Sequence, residues 1–226
     1  VVLSPPALQK DFSPGSLQSG STMSSIVFTL ANANTAALTN VAFADTLVNM
    51  ALAAGAGVAK TCSGTVTPSG VAAGSTNFSL VLSTLNAGET CTITVGPVAS
   101  STASPPGGHP NTTGAVTSTQ TPAGGPGATG YLNVLVAPTI DKQFSPNTVV
   151  GATSPCPSAG CSTITFTLSN PNSIALTNVT FTDAFPANMR TVAAAQTFIG
   201  AGRGTCTGTI PSAQGAVNQT SLSFTS

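Results

Sequence analysis

Five Lys and Arg stand against five Asp and Glu in this 226-residue chain, and four of those charges fall where a charge is expensive. Lys10 shares strand parity with Leu8 and Phe12, and Lys142 with Ile140 and Phe144. Asp45 shares parity with Val41, Phe43 and Leu47, as Asp183 does with Val179, Phe181 and Phe185. If the apolar residues face a core, one Lys and one Asp face it too, in two separate places. Burying either charge alone costs roughly several kcal/mol. Each lysine is therefore expected to meet its aspartate, and the direct reading is a salt bridge that fixes how the first strand docks.

Other chemistry finds little support. His109 lies in a Pro/Gly-rich loop without a Ser or Cys partner implied by motif, and reads as a solvated loop histidine. No Ser-His-Asp or paired-carboxylate spacing stands out, five scattered acids make no calcium loop, and no cofactor, metal site or enzymatic activity is expected. Triplets starting at Asn77, Asn111, Asn178 and Asn218 fit the Asn-x-Ser/Thr glycan pattern, as chance would supply in so Asn- and Thr-rich a chain.

The elements that must carry these charges are written twice. Ser25 to Asp45 reads SIVFTLANANTAALTNVAFAD, and Thr163 to Asp183 reads TITFTLSNPNSIALTNVTFTD, at a shift of 138 residues. Lys10-Asp11-Phe12-Ser13-Pro14 corresponds to Lys142-Gln143-Phe144-Ser145-Pro146 at a shift of 132. Such repetition fixes architecture before any motif is weighed. Ile26, Phe28 and Leu30, like Ile164, Phe166 and Leu168, alternate with smaller or polar residues, the period of a half-buried strand. Asn-rich segments at Ala31 to Thr35 and Ser169 to Ser173 read as turns. Further strands are expected around Val41 to Leu47, Thr61 to Thr67, Asn77 to Ser83, Thr90 to Val98, Asn111 to Thr119 and Tyr131 to Val136. Ala51 to Ala59 is the sole helix candidate, and its two glycines favour a loop. The pattern predicts an all-β chain of tandem sandwiches: residues 5–136, then 137–226 as a truncated second copy, with Val1 to Ser4 as the tail strand of a preceding repeat.

Composition narrows the function classes. Charged residues are 4% of the chain against about a quarter in ordinary globular proteins. With zero net charge there is no basic stripe for phosphate backbones, so nucleic-acid binding is excluded as an expectation. No apolar run is long enough to span a bilayer. A surface with so little charge lacks the repulsion that keeps copies apart and permits self-association into filaments or layers.

The five cysteines resolve into a pattern. Cys62 and Cys206 are equivalent, each in Thr-Cys-x-Gly-Thr, and Cys62 is expected to pair with Cys91. The partner of Cys206 would then lie beyond the chain. Cys156 and Cys161 sit in an insertion of the second copy and are expected to pair with each other. Disulfides point to an oxidising, extracellular or cell-surface location.

The Lys-x-Phe-Ser-Pro opening, the Asn-x-Asn…Leu-Thr-Asn-Val-x-Phe-x-Asp block and the Thr-Cys-x-Gly-Thr…Cys-Thr-Ile-Thr-Val pair resemble the β-sandwich repeat of large bacterial surface and secreted proteins. That family is classed as of unknown function. The resemblance implies immunoglobulin-like modules in tandem, forming stalks, fibres or adhesin shafts, with neighbouring repeats of the same chain as partners. The alternative is an adhesin-type module recognising a glycan or protein through its loops, for which a single Tyr and no Trp offer little stacking surface. The inward Lys and Asp also resemble the collagen-adhesin type of surface domain, in which a buried Lys joins an Asn beside an acid. That likeness implies an intramolecular isopeptide candidate at Lys10, Asn111 and Asp45, with Glu89 as the lesser choice of acid, and leaves it open beside the plain salt bridge.

Overall fold

The computed structural model describes residues 2–149, 161–192 and 219–225. The chain is all-β: fourteen strands and no helix among the described residues. It divides into two compact units, Val1–Val136 and Ala137–Ser226.

In the first unit, β1 (Ala7–Ser13), β3 (Ser24–Ala31), β8 (Thr90–Ala99) and β5 (Ala51–Lys60) form one antiparallel sheet in the order β1-β3-β8-β5. A second sheet is made of β4 (Leu38–Thr46), β7 (Asn77–Leu85) and β6 (Val66–Ser69), in the order β4-β7-β6. Ser24, Ile26, Phe28 and Leu30 are buried while their neighbours are only half-buried, so the period-two pattern maps one face onto the core. The two sheets meet there: the Phe28 ring lies 4.9 Å from that of Phe43 and 6.2 Å from that of Phe78. A third group joins β2 (Ser16–Gln18), β10 (Thr129–Leu135) and β9 (His109–Thr112), with β10 parallel to β2 and antiparallel to β9. Single bridges Asp45↔Thr113 and Ala42↔Thr117 attach the segment after β9 to β4.

The repeat is structural as well as textual. In the second unit β11 (Thr139–Ser145) pairs with β12 (Thr163–Ser169), placing Lys142 opposite Phe166 as Lys10 stands opposite Phe28. β13 (Thr180–Ala184) pairs with β14 (Ser221–Thr225), placing Phe181 opposite Phe224 as Phe43 stands opposite Leu80. The Asn-x-Asn turns match too. Asn32 Nδ2 donates to the Ala36 carbonyl and its Oδ1 accepts from the Asn34 amide; Asn170 does the same with Ile174 and Asn172. In each copy the Asn side chain replaces the ladder partners that the backbone loses where the strand turns.

Four expectations are corrected. Ala51–Lys60 is a strand, not a loop: as an edge of its sheet it needs backbone pairing on one side only, and its register breaks between Leu52 and Gly57, where Gly55 takes φ +82°. The strand expected from Thr61 begins only at Val66, because the turn before it brings Gly64 against Thr84, where a Cβ would stand 2.2 Å from the Thr84 carbonyl oxygen. The strand expected over Asn111 to Thr119 ends at Thr112 and continues as isolated bridges. Val2 to Ser4 form no strand; Ser4 is pinned to Asn34 by two backbone–side-chain bonds of 2.9 Å and Leu3 packs on the first core, so this stretch belongs to the first unit.

Candidate functional site

Lys10 comes from β1 at the edge of one sheet, Asp45 from the end of β4 in the other, and Asn111 from β9. Parity directs Lys10 and Asp45 inward, and the ladder of β9 with β10 turns Asn111 toward them. Lys10 is 3% exposed, Asp45 1% and Asn111 2%. Lys10 Nζ donates to Asp45 Oδ2 at 2.6 Å and also to Asn111 Oδ1. Asn111 Nδ2 donates to the Thr46 carbonyl at 2.7 Å, which fixes the carboxamide with its oxygen toward the lysine and its nitrogen away. The rings of Phe12 and Phe28 lie 5.8 and 5.6 Å from Nζ and close the apolar side. Among the described residues, Asp45 Oδ1 is a buried side-chain oxygen without a hydrogen-bond partner.

Two forces act on the lysine. Desolvation favours the neutral amine, while attraction to Asp45 favours the ammonium; desolvation dominates, and the Lys10 pKa is held below the ordinary lysine value. Chemically the site presents an amine made more nucleophilic by burial, a carboxylate that can take its proton, and a carboxamide held by both its oxygen and its nitrogen.

A residue that sequence reasoning missed completes the packing. Gly130 of β10 stands opposite Asn111, and a Cβ there would lie 3.0 Å from the Lys10 carbonyl oxygen and 3.2 Å from its Cγ. A larger residue there would force β1 and β10 apart or shift the Lys10 side chain, so glycine suits this close approach. Its place in a Gly-rich stretch hid it among glycines that merely turn the chain.

Among the described residues, the second unit carries the lysine and aspartate without a carboxamide beside them. Lys142 Nζ meets both Asp183 oxygens at 2.8 and 2.7 Å, and the two side chains keep 31% and 17% exposure. Glu89 is no part of either site. Its carboxylate accepts the Ser63 and Asn86 backbone amides, each at 2.7 Å, and those bonds hold its pKa below the usual carboxylate value. His109 is corrected from a solvated loop residue to a buried one, 4% exposed at the start of β9. Its Nε2 lies 3.0 Å from the Thr102 carbonyl and its Nδ1 3.4 Å from Asn49 Nδ2, so a neutral ring donating from Nε2 satisfies both. Burial of Asn111 also removes it as a glycan acceptor in the folded state.

Cys62 and Cys91 form a disulfide across 29 residues of sequence. Cys161 is disulfide-bonded, while Cys156 and Cys206 lie outside the described residues. No helix among the described residues is long and apolar enough to cross a membrane.

A family model, described as a domain of unknown function (DUF7933), matches the chain twice, over residues 6–134 and 138–226. The chain belongs to this family. The two DUF7933 matches follow the two compact units, so one copy of the domain is one unit with its own lysine and aspartate. Compared with curated proteins, the chain matches none.

Proposed function

We propose that the chain is a structural repeat segment of a long bacterial extracellular protein that builds a fibre, stalk or surface layer from immunoglobulin-like modules. The observation that carries this reading is duplication at the level of strand register: equivalent positions oppose one another in both copies, and the Lys–Phe pair and the Asn-x-Asn turn recur in each. Tandem modules of one kind give length, with contacts mainly between neighbours. The supporting features are physical. A disulfide ties the turn before β6 to β8, as suits an oxidising compartment. With charged residues at only 4% of the sequence, the sheet faces can approach like faces without repulsion. The site inside the first unit holds strands together and involves no external substrate. Negative-stain microscopy of concentrated protein tests the reading: regular filaments, bundles or sheets are expected, and dispersed monomers at every concentration would overturn it in favour of a module that binds a glycan or protein through its loops.

A further inference from the structure

We infer that the first unit catalyses its own cross-linking: Lys10 Nζ displaces ammonia from Asn111 to form an amide bond between β1 and β9, with Asp45 as the proton acceptor. This goes beyond the architectural reading and stands whether or not the chain forms filaments.

The geometry meets each requirement of the step. The nucleophile and the carboxamide it attacks are already in hydrogen-bond contact, so the reaction is unimolecular and the entropic cost of bringing them together was met on folding. Water is excluded: the side chains of Lys10 and Asp45 are 0% exposed. An ammonium cannot attack, so its proton must first leave, and Asp45 Oδ2 at 2.6 Å is the base within reach. The depressed pKa of Lys10 acts in the same direction.

Lys10 passes one proton to Asp45. The neutral amine attacks Asn111 Cγ to give a tetrahedral adduct. A second proton moves from the attacking nitrogen to Nδ2, the Cγ–Nδ2 bond breaks and ammonia departs. An ammonium, a carboxylate and a carboxamide thus become a secondary amide, a carboxylic acid and ammonia, with no oxidant or co-reactant. The outcome also removes an awkward state, since an ionised Asp45 leaves Oδ1 buried without a partner whereas the product holds no buried charge.

The bond would join residues 101 apart in sequence. In the second unit Lys142 and Asp183 meet in the same way, but the lysine has no carboxamide against it among the described residues and stays partly wet. One bond per chain is therefore expected, not two.

Intact mass spectrometry of the reduced, folded full chain reads the result directly. A mass lower by one ammonia, about 17 Da, is expected. The full sequence mass in protein whose Cys62–Cys91 disulfide had formed before reduction would overturn the inference, and a loss of two ammonias would overturn its restriction to the first unit. Asp45→Ala and Asp45→Asn separate chemistry from folding. Either variant, shown folded by that same disulfide and by its strand content, is expected to keep the full mass. Cross-linking that proceeds at the normal rate in both would remove Asp45 from its role.

Discussion

Two lysine–aspartate pairs, placed by the same strands in the same register, end in different environments. In the first unit the pair is dry and meets Asn111; in the second it keeps roughly a third and a sixth of its side-chain surface in water. Strand pairing alone therefore delivers the two charges to each other, but it does not make them reactive. What distinguishes the first site is the β9–β10 pair, in which β9 supplies the carboxamide and β10 brings Gly130 close against Lys10. The same pair thus has two thermodynamic characters. A buried pair stripped of one partner is strongly destabilising, whereas an exposed pair contributes little.

That contrast can be broken by substitution. The largest expected effect is Asp45→Ala, which leaves Lys10 buried and unpaired and prevents the bond. The first unit should lose about 3–5 kcal/mol, read as faster amide exchange across β1, β3 and β4 with the second unit unchanged. Next comes removal of the disulfide. The double variant Cys62→Ala, Cys91→Ala should cost about 2–4 kcal/mol in denaturant unfolding, again confined to the first unit. Asp183→Ala is the counterpart of the first substitution, and about 0–1 kcal/mol is expected because Lys142 can turn to solvent. A loss there as large as at Asp45 would erase the distinction between the sites.

Glu89→Gln sharpens the lower end. Glu89 has its folded pKa depressed, chiefly by the Ser63 and Asn86 amides, so its carboxylate stabilises the fold at pH values above the unfolded value near 4.5. That contribution is lost as pH falls through the lower folded value. The melting-temperature gap between wild type and Glu89→Gln should accordingly be full at neutral pH and close in acid. A gap that persists unchanged at the lowest pH would show that the carboxylate acts by shape and not by charge.

Much of this was legible in the sequence. Parity placed Lys10 and Asp45 inward without coordinates, because a period-two pattern leaves each residue two possible faces and the neighbouring Phe and Val residues choose between them. The equivalence of Cys62 and Cys206 isolated Cys91 as the partner of Cys62. Other features were hidden for physical reasons. Asn111 follows Pro110 in a stretch with no apolar alternation of its own, so its inward direction comes from the bridges to β4 and the ladder with β10; only the likeness to surface domains singled it out. Ala51–Lys60 lacks β-branched residues apart from Val58, and the sheet overrides its weak propensity by pairing it with β8. The burial of His109 depends on the Thr102 and Asn49 groups that happen to face it, which no local signal reports.

The central claim is that one dry lysine in this chain has become an amide while its wet counterpart has not. Trypsin mapping tests it without ambiguity, because Cys62 and Cys91 both lie within 61–142 and no disulfide between them can join that fragment to 1–60. The account predicts no cleavage after Lys10, a covalent species in which 1–60 is joined to 61–142 at Lys10 and Asn111, and normal cleavage after Lys142. Release of free 1–10 from folded protein, with 61–142 at its unmodified mass, would contradict it.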